Sequence, residues 1–163
     1  GPHWSRAQEG ILETEYAKGA DLLEEEKYGE ARRAFEEFLS RHPLDRRFAS
    51  IMYIIGQSYF EQENWDEAIG EWRKLVSKFP NSEAASRGQF MIGQVFEEKK
   101  KELETAIEEY RNVTWGNWKP QAEQRIAKMQ QKELTVLTVQ LLELVIGCMQ
   151  NSQSSSLKPL EIS

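Results

Sequence analysis

Residues able to do covalent or metal chemistry are scarce in this chain, and they are not gathered. Two histidines, His3 and His42, and one cysteine, Cys148, stand far apart in 163 residues. A Cys/His nucleophile pair or a His/Cys metal cluster needs more such groups than the sequence supplies. Glycine is scattered rather than collected in a phosphate-cradling loop. Adjacent carboxylates such as Glu97-Glu98 and Glu108-Glu109 are abundant, but beside an apolar helical stripe they read as a solvated face. No catalytic residue, no cofactor site and no metal site is expected, and the chain does not read as an enzyme.

Charge narrows the partners further. The net charge is −6, which speaks against nucleic acid, since phosphate neutralisation needs a basic face. The small basic clusters Arg46-Arg47 and Lys99–Lys101 are each flanked by Asp or Glu. One cysteine cannot close an internal disulfide, so cysteine usage leaves the compartment open. No stretch reads as long and apolar enough to span a membrane directly. Gly1-Pro2-His3 looks like the remnant of a cleaved affinity tag and is set aside, so the absence of a leader means little.

The elements that would position a candidate surface are visible as an internal repeat. Gly19, Gly56 and Gly93 are separated by 56 − 19 = 37 and 93 − 56 = 37 residues. Ala31 and Ala68 follow their glycines by twelve residues, and Ala106 follows Gly93 by thirteen. Phe35, Trp72 and Tyr110 follow these alanines by four, and Pro43 and Pro80 close the first two copies. Between the landmarks run amphipathic helical stripes: Ile11, Leu12, Tyr16, Leu22 and Leu23, then Ala31, Ala34, Phe35 and Phe38. Interior glycine costs a helix about 0.5–1 kcal/mol relative to alanine. Its return at one register implies close approach of the two helices of each hairpin. Turns are expected at Tyr28-Gly29 and Asn64-Trp65-Asp66, with Asn64 or Asp66 capping the next helix and Ser82 capping the third repeat's first helix.

These landmarks resemble the tetratricopeptide repeat (TPR) family over roughly residues 12–118. The resemblance implies an all-α, right-handed superhelix of three helix hairpins, over about 12–43, 49–80 and 86–118 within residues 5–118. A capping helix over 119–138 would follow, with Pro120 in its first turn and Ala122, Ile126, Met129 and Leu134 inward. The period exceeds the usual 34 residues, the extra length falling in the links LDRRF and NSEAAS. Such links are similar to those of bacterial cell-envelope TPR proteins, namely outer-membrane assembly lipoproteins and the Tol-Pal coordinator. The run WKPQAEQRIAKMQQKELTVLT also looks like the TPR region of macroglobulin-like proteins. Periplasm or envelope is the compartment this favours, with cytoplasm the alternative.

By register with the family, the first helix of each pair lines a concave groove for a partner's segment. Its lining would be Tyr16 and Ala20, then Tyr53, Gln57 and Phe60, then Arg87, Phe90 and Gln94. Tyr16, Tyr53 and Phe90 occupy equivalent places, as do Gln57 and Gln94. Aromatics offer apolar anchors, and glutamine both donates to and accepts from a peptide backbone. The same aromatics could instead pack between neighbouring repeats. Under the groove reading, Tyr53→Ala with Gln57→Ala should weaken capture while leaving helicity and melting temperature nearly intact. The lysine and asparagine set that clamps chaperone C-termini is missing, which disfavours heat-shock-protein tails.

Trp115 and Trp118 either staple their loop to the third repeat or form a second hydrophobic contact. Residues 139–163 hold the rest of an apolar run, Leu134 to Met149, and a serine-rich tail that reads as flexible, and for this stretch native and non-native origin both stay open. For the run, helix extension and strand both stay open. It could pack back as a cap, or lie in a groove, its own or a neighbour's, the last making a homodimer. Two functions follow: a protein-interaction module, or a structural spacer or docking domain of a larger envelope protein.

Overall fold

The computed structural model describes residues 2–156. Helices α1 (Pro2–Glu24), α2 (Tyr28–Arg41), α3 (Phe48–Glu61), α4 (Trp65–Lys78), α5 (Glu83–Gln94), α6 (Leu103–Arg111) and α7 (Lys119–Ser156) follow one another, and no strand occurs among the described residues. They pack as three antiparallel hairpins, α1/α2, α3/α4 and α5/α6, with α7 laid against α6. The all-α expectation of three hairpins plus a C-terminal helix holds.

The repeating landmarks explain the hairpins. Ala31, Ala68 and Ala106 are all fully buried, and Phe35, Trp72 and Tyr110 are at most 1% exposed. Each aromatic ring fills the space a side chain would need at the glycine opposite. A Cβ at Gly19 would stand 2.7 Å from Phe35, one at Gly93 2.6 Å from Tyr110, and one at Gly56 closer still to Trp72. Glycine is retained because the second helix occupies the place of its side chain. One apolar cluster runs from Met52 through Trp72, Ile92 and Tyr110 to Met129. A smaller one, Phe35, Phe38, Ile51 and Ile55, joins the first hairpin to α3.

The turns differ from expectation. Tyr28 and Trp65 begin helices rather than sit in turns. The reversals fall at Glu26 (φ 58°), Glu63 (φ 60°) and Lys101 (φ 60°). At Glu26 the amides of Glu26 and Lys27 donate to the carbonyls of Leu23 and Leu22, each at 2.9 Å. Glu63 and Asn64 do the same with Phe60 and Tyr59, at 2.9 and 3.0 Å. These are Schellman ends that use a left-handed Glu where Gly is usual, so no glycine marks them in the sequence. Asn64 holds the N-cap position of α4 but makes no side-chain cap bond. Ser82 does cap α5, its Oγ accepting from the Ala85 amide at 3.1 Å.

The extra residue of the third repeat has a definite location. From Glu26 to Glu63 is 63 − 26 = 37 residues, but from Glu63 to Lys101 is 101 − 63 = 38. The insertion is absorbed before the turn, where α5 continues as a π-helical segment, Val95–Lys100. A π-bulge lets one residue enter without breaking the helix, and Ala106 still follows the left-handed residue by five, as Ala31 and Ala68 do.

Helix α7 is where the sequence reading needs most correction. It is one continuous helix of 38 residues, so the open choice at Leu134–Met149 resolves to helix, and Gln150–Ser156 of the tail are helical too. The rest of the expected flexible tail, 157–163, lies outside the described residues. Ala122 and Met129 are buried as expected, but Leu134 is 65% exposed, because at about 100° per residue it points away from the line of Ala122, Ile126 and Met129. The expectation that no stretch spans a membrane directly meets one candidate by length and composition, α7 itself. An 18-residue window of α7 has mean hydropathy 1.4, and none of it is buried. By length and composition alone the helix could span a bilayer, because the apolar run is uninterrupted helix.

Candidate functional site

The expected groove residues fall on α1, α3 and α5, and the structure draws most of them into one row of stacked groups. Tyr16 on α1 packs against Phe35 and Phe38, with ring centroids 5.8 and 6.4 Å away. The Arg47 guanidinium lies 5.1 Å over its ring. Ala20 stands half-buried one turn further along. Arg47 is held by Asp45 Oδ1, which accepts from its Nε at 2.9 Å and its backbone amide at 2.8 Å. This pairing keeps the Asp45 carboxyl below its ordinary range and gives the LDRRF link a reason for its length.

On α3, Tyr53 is stacked on Trp72 at 6.1 Å and donates its hydroxyl to Gln57 Oε1 at 3.1 Å. Gln57 Nε2 donates in turn to Glu61 at 2.7 Å. Burial pushes the Tyr53 phenol upward. Phe60 meets Trp65 edge-on at 5.0 Å, with the Lys99 ammonium 5.7 Å from its ring.

On α5 the decisive residue is Arg87. Its guanidinium lies 4.5 Å over Tyr53 and 5.3 Å over Trp118, yet the residue is exposed. No carboxylate pairs with it among the described residues, whereas Arg41, Arg47, Arg73 and Arg125 each have one. Phe90 is 5% exposed, wedged between Tyr110 at 5.2 Å and Trp118 at 5.0 Å. Gln94 Nε2 donates to Glu98 at 3.2 Å.

These contacts revise the chemistry of the row. Tyr53 and Phe90, read from the sequence as anchors for a partner, are core side chains whose faces are already covered. Arg87, Gln57 and Gln94 supply the accessible polar groups. Trp115 and Trp118, expected to act as a pair, are separated. Trp118 belongs with Arg87 and Phe90. Trp115 donates its indole N–H to the Pro80 carbonyl at 3.1 Å, and its own carbonyl accepts from Ser86 Oγ at 2.8 Å, stapling the loop to the start of α5.

One network was missed. The Tyr110 hydroxyl donates to Glu97 at 2.7 Å, and Arg125 bridges Glu97 and Glu98 at 3.1 and 3.0 Å. Burial and Glu97 together push the Tyr110 phenol far above its ordinary value. The π-helical residue is what turns Glu97 toward Tyr110. Register could have found half of this. Ala122 and Met129 stand 37 residues after Ala85 and Ile92, which marks α7 as a fourth first-type helix. Among the described residues no three or more metal-ligating side chains converge.

The TPR profile matches residues 16–83 and again 53–114. The chain belongs to the tetratricopeptide repeat family. No curated protein matches it. Among solved structures it is similar to the Yersinia enterocolitica type III secretion translocator chaperone SycD in an alternative dimer. That likeness has a TM-score of 0.58 at 16% identity, covering 76% of this chain and 95% of the other. It is also similar to a MamA RS-1 ArsTM double mutant, with TM-score 0.55 at 19% identity, covering 94% of this chain and 83% of that one. At these identities the likeness is one of fold. TPR arrays serve protein–protein interaction, and this chain shares that architecture.

Proposed function

We propose that the three TPR hairpins over residues 5–118, closed by α7, capture an extended protein segment on the face made by α1, α3 and α5. The observation that carries this is Arg87. A guanidinium oriented by two aromatic faces and left without a carboxylate keeps its N–H donors free for an incoming acceptor. Gln57 and Gln94 flank it one repeat apart, each with its amide tied to a neighbouring glutamate on its own helix, so their orientation is preset. Preformed helices need little rearrangement to receive a segment. The fold neighbour in secretion is a chaperone by name, which suits a module that holds other chains. A bacterial envelope setting accords with the long Pro-Asn-Ser link.

The test is peptide-display selection on the wild-type chain and on a variant combining Arg87→Ala, Gln57→Ala and Gln94→Ala. A consensus enriched by the wild type and lost by the variant, at matched melting temperature, supports the groove. Equal binding of the consensus to both removes it.

A further inference from the structure

Ten large apolar side chains between Leu134 and Met149 are each 48–67% exposed on α7. Helical residues advance by about 100° each, so Ala122, Ile126 and Met129 share one face, toward the repeats. Beyond Glu133 that face mixes Val136 and Leu144 with Gln140, Glu143 and Gly147, while Leu134, Leu141, Leu142, Val145 and Met149 look away from it. The second half of α7 is thus not a continuation of the cap.

Nor is it a fourth hairpin in waiting. One period beyond Ala106 stands Glu143, and one beyond Tyr110 stands Gly147, so the buried alanine and its aromatic are both missing. The helix also runs straight through residue 138, where the next turn would fall.

A bilayer fits the segment poorly. The apolar run of 149 − 134 + 1 = 16 residues spans about 24 Å, short of the roughly 30 Å hydrocarbon core. Glu143 lies near its middle. No Lys or Arg occurs from Glu133 to Ser156, whereas helices lying on a membrane surface carry basic residues on their polar face.

A second copy fits better. Leu134, Leu137, Leu141, Leu144 and Cys148 are spaced 3, 4, 3 and 4 apart, a two-heptad coiled-coil seam. The seam's flanking positions, Thr138, Gln140, Val145 and Gly147, carry no charge, so identical helices meet without repulsion. The surface also continues onto the repeats. Leu137 borders a cavity of about 660 Å³ between α6 and α7, where Leu103, Ile107 and Val136 stand among charged side chains that include Glu104, Lys128 and Lys132.

We propose that Leu134–Met149 is a self-association helix that packs through this seam on the same helix of a second copy of the chain, in an isologous interface. The groove reading is independent of it. Sedimentation equilibrium and light scattering on the full chain should give twice the 19.0 kDa of one chain. The variant Leu137→Glu with Leu144→Glu should weaken association on the order of a hundredfold and return the single-chain mass, with the near-ultraviolet dichroism of the repeats unchanged. Gln150→Glu, exposed on the side of α7 away from the seam, should leave the dimer intact. A wild-type monomer at micromolar concentration overturns the proposal. So does association that survives the double variant, or flotation of the wild-type monomer with neutral phosphatidylcholine vesicles that the double variant abolishes.

Discussion

The indole of Trp72 lies where a side chain of Gly56 would stand, and its Nε1–H donates to the carbonyl of Tyr53 at 3.2 Å. Two helices are joined there by contact and by a hydrogen bond in a site without solvent. Gly56→Ala gains about 0.5–1 kcal/mol of helix propensity but forces a rigid buried ring aside, a change that costs about 1–3 kcal/mol. It also breaks a buried hydrogen bond worth about 1 kcal/mol. The net expectation is a loss of about 1–3 kcal/mol in urea unfolding. Gly70→Ala is the control, since nothing lies within 4 Å of its Cβ position. It should stabilise by up to about 1 kcal/mol, and equal effects of the two would contradict the packing account.

Capping separates two positions that the sequence ranks alike. Ser82 accepts from the Ala85 amide, whereas Asn64 makes no cap bond. Ser82→Ala should therefore cost about 1 kcal/mol, and Asn64→Ala only a few tenths. Chemical denaturation of the two variants side by side decides it. Comparable losses would mean that Asn64 caps α4 in solution.

The residues that were legible beforehand are those whose partners recur. Glycine, alanine and aromatic returned at one spacing because each hairpin solves the same packing problem, and periodicity displays a repeated solution. The turns were misplaced because Glu26 and Glu63 take the left-handed conformation without glycine, held by backbone bonds that leave no trace in residue type. The Tyr110–Glu97–Arg125 network was hidden because the π-helical insertion rotates Glu97 by a residue, breaking the register that sequence reasoning follows. Groove positions were placed by register, but register says nothing of exposure. Tyr53 and Phe90 read as anchors in the sequence because nothing in the spacing shows that Trp72 and Trp118 stack on them.

This burial changes what mutagenesis of the groove must look like. Tyr53 is 8% exposed, so Tyr53→Ala opens a cavity beneath Arg87 and should cost about 3–5 kcal/mol, as aromatic truncations in cores do. Lost binding by that variant would say little about recognition. Arg87→Ala removes an exposed group with no ion pair and should shift stability by no more than about 1 kcal/mol, while abolishing capture of any selected peptide. Melting curves and peptide titrations on both variants separate the roles. An Arg87→Ala protein that melts as low as Tyr53→Ala would show that the stacked guanidinium is structural.

The Tyr110 phenol is held neutral by burial, by donation to Glu97 and by the negative charge of that carboxylate. Its folded value lies above the unfolded value of about 10, so the folded chain keeps a proton that the unfolded chain releases. The stability contributed by this difference is fully present below pH 10 and is lost as pH rises beyond it, by about 1.4 kcal/mol per pH unit for one proton. Tyr53, pushed upward by burial, adds a slope of the same sign. Tyr110→Phe should be less stable at neutral pH through the lost hydrogen bond, by about 1 kcal/mol. Between about pH 10 and 11, however, its stability should decline by one proton less than the wild type. Urea unfolding at several alkaline pH values measures both slopes. Parallel decline of the two proteins would show that Tyr110 ionises as freely folded as unfolded, and that Glu97 does not hold its hydroxyl.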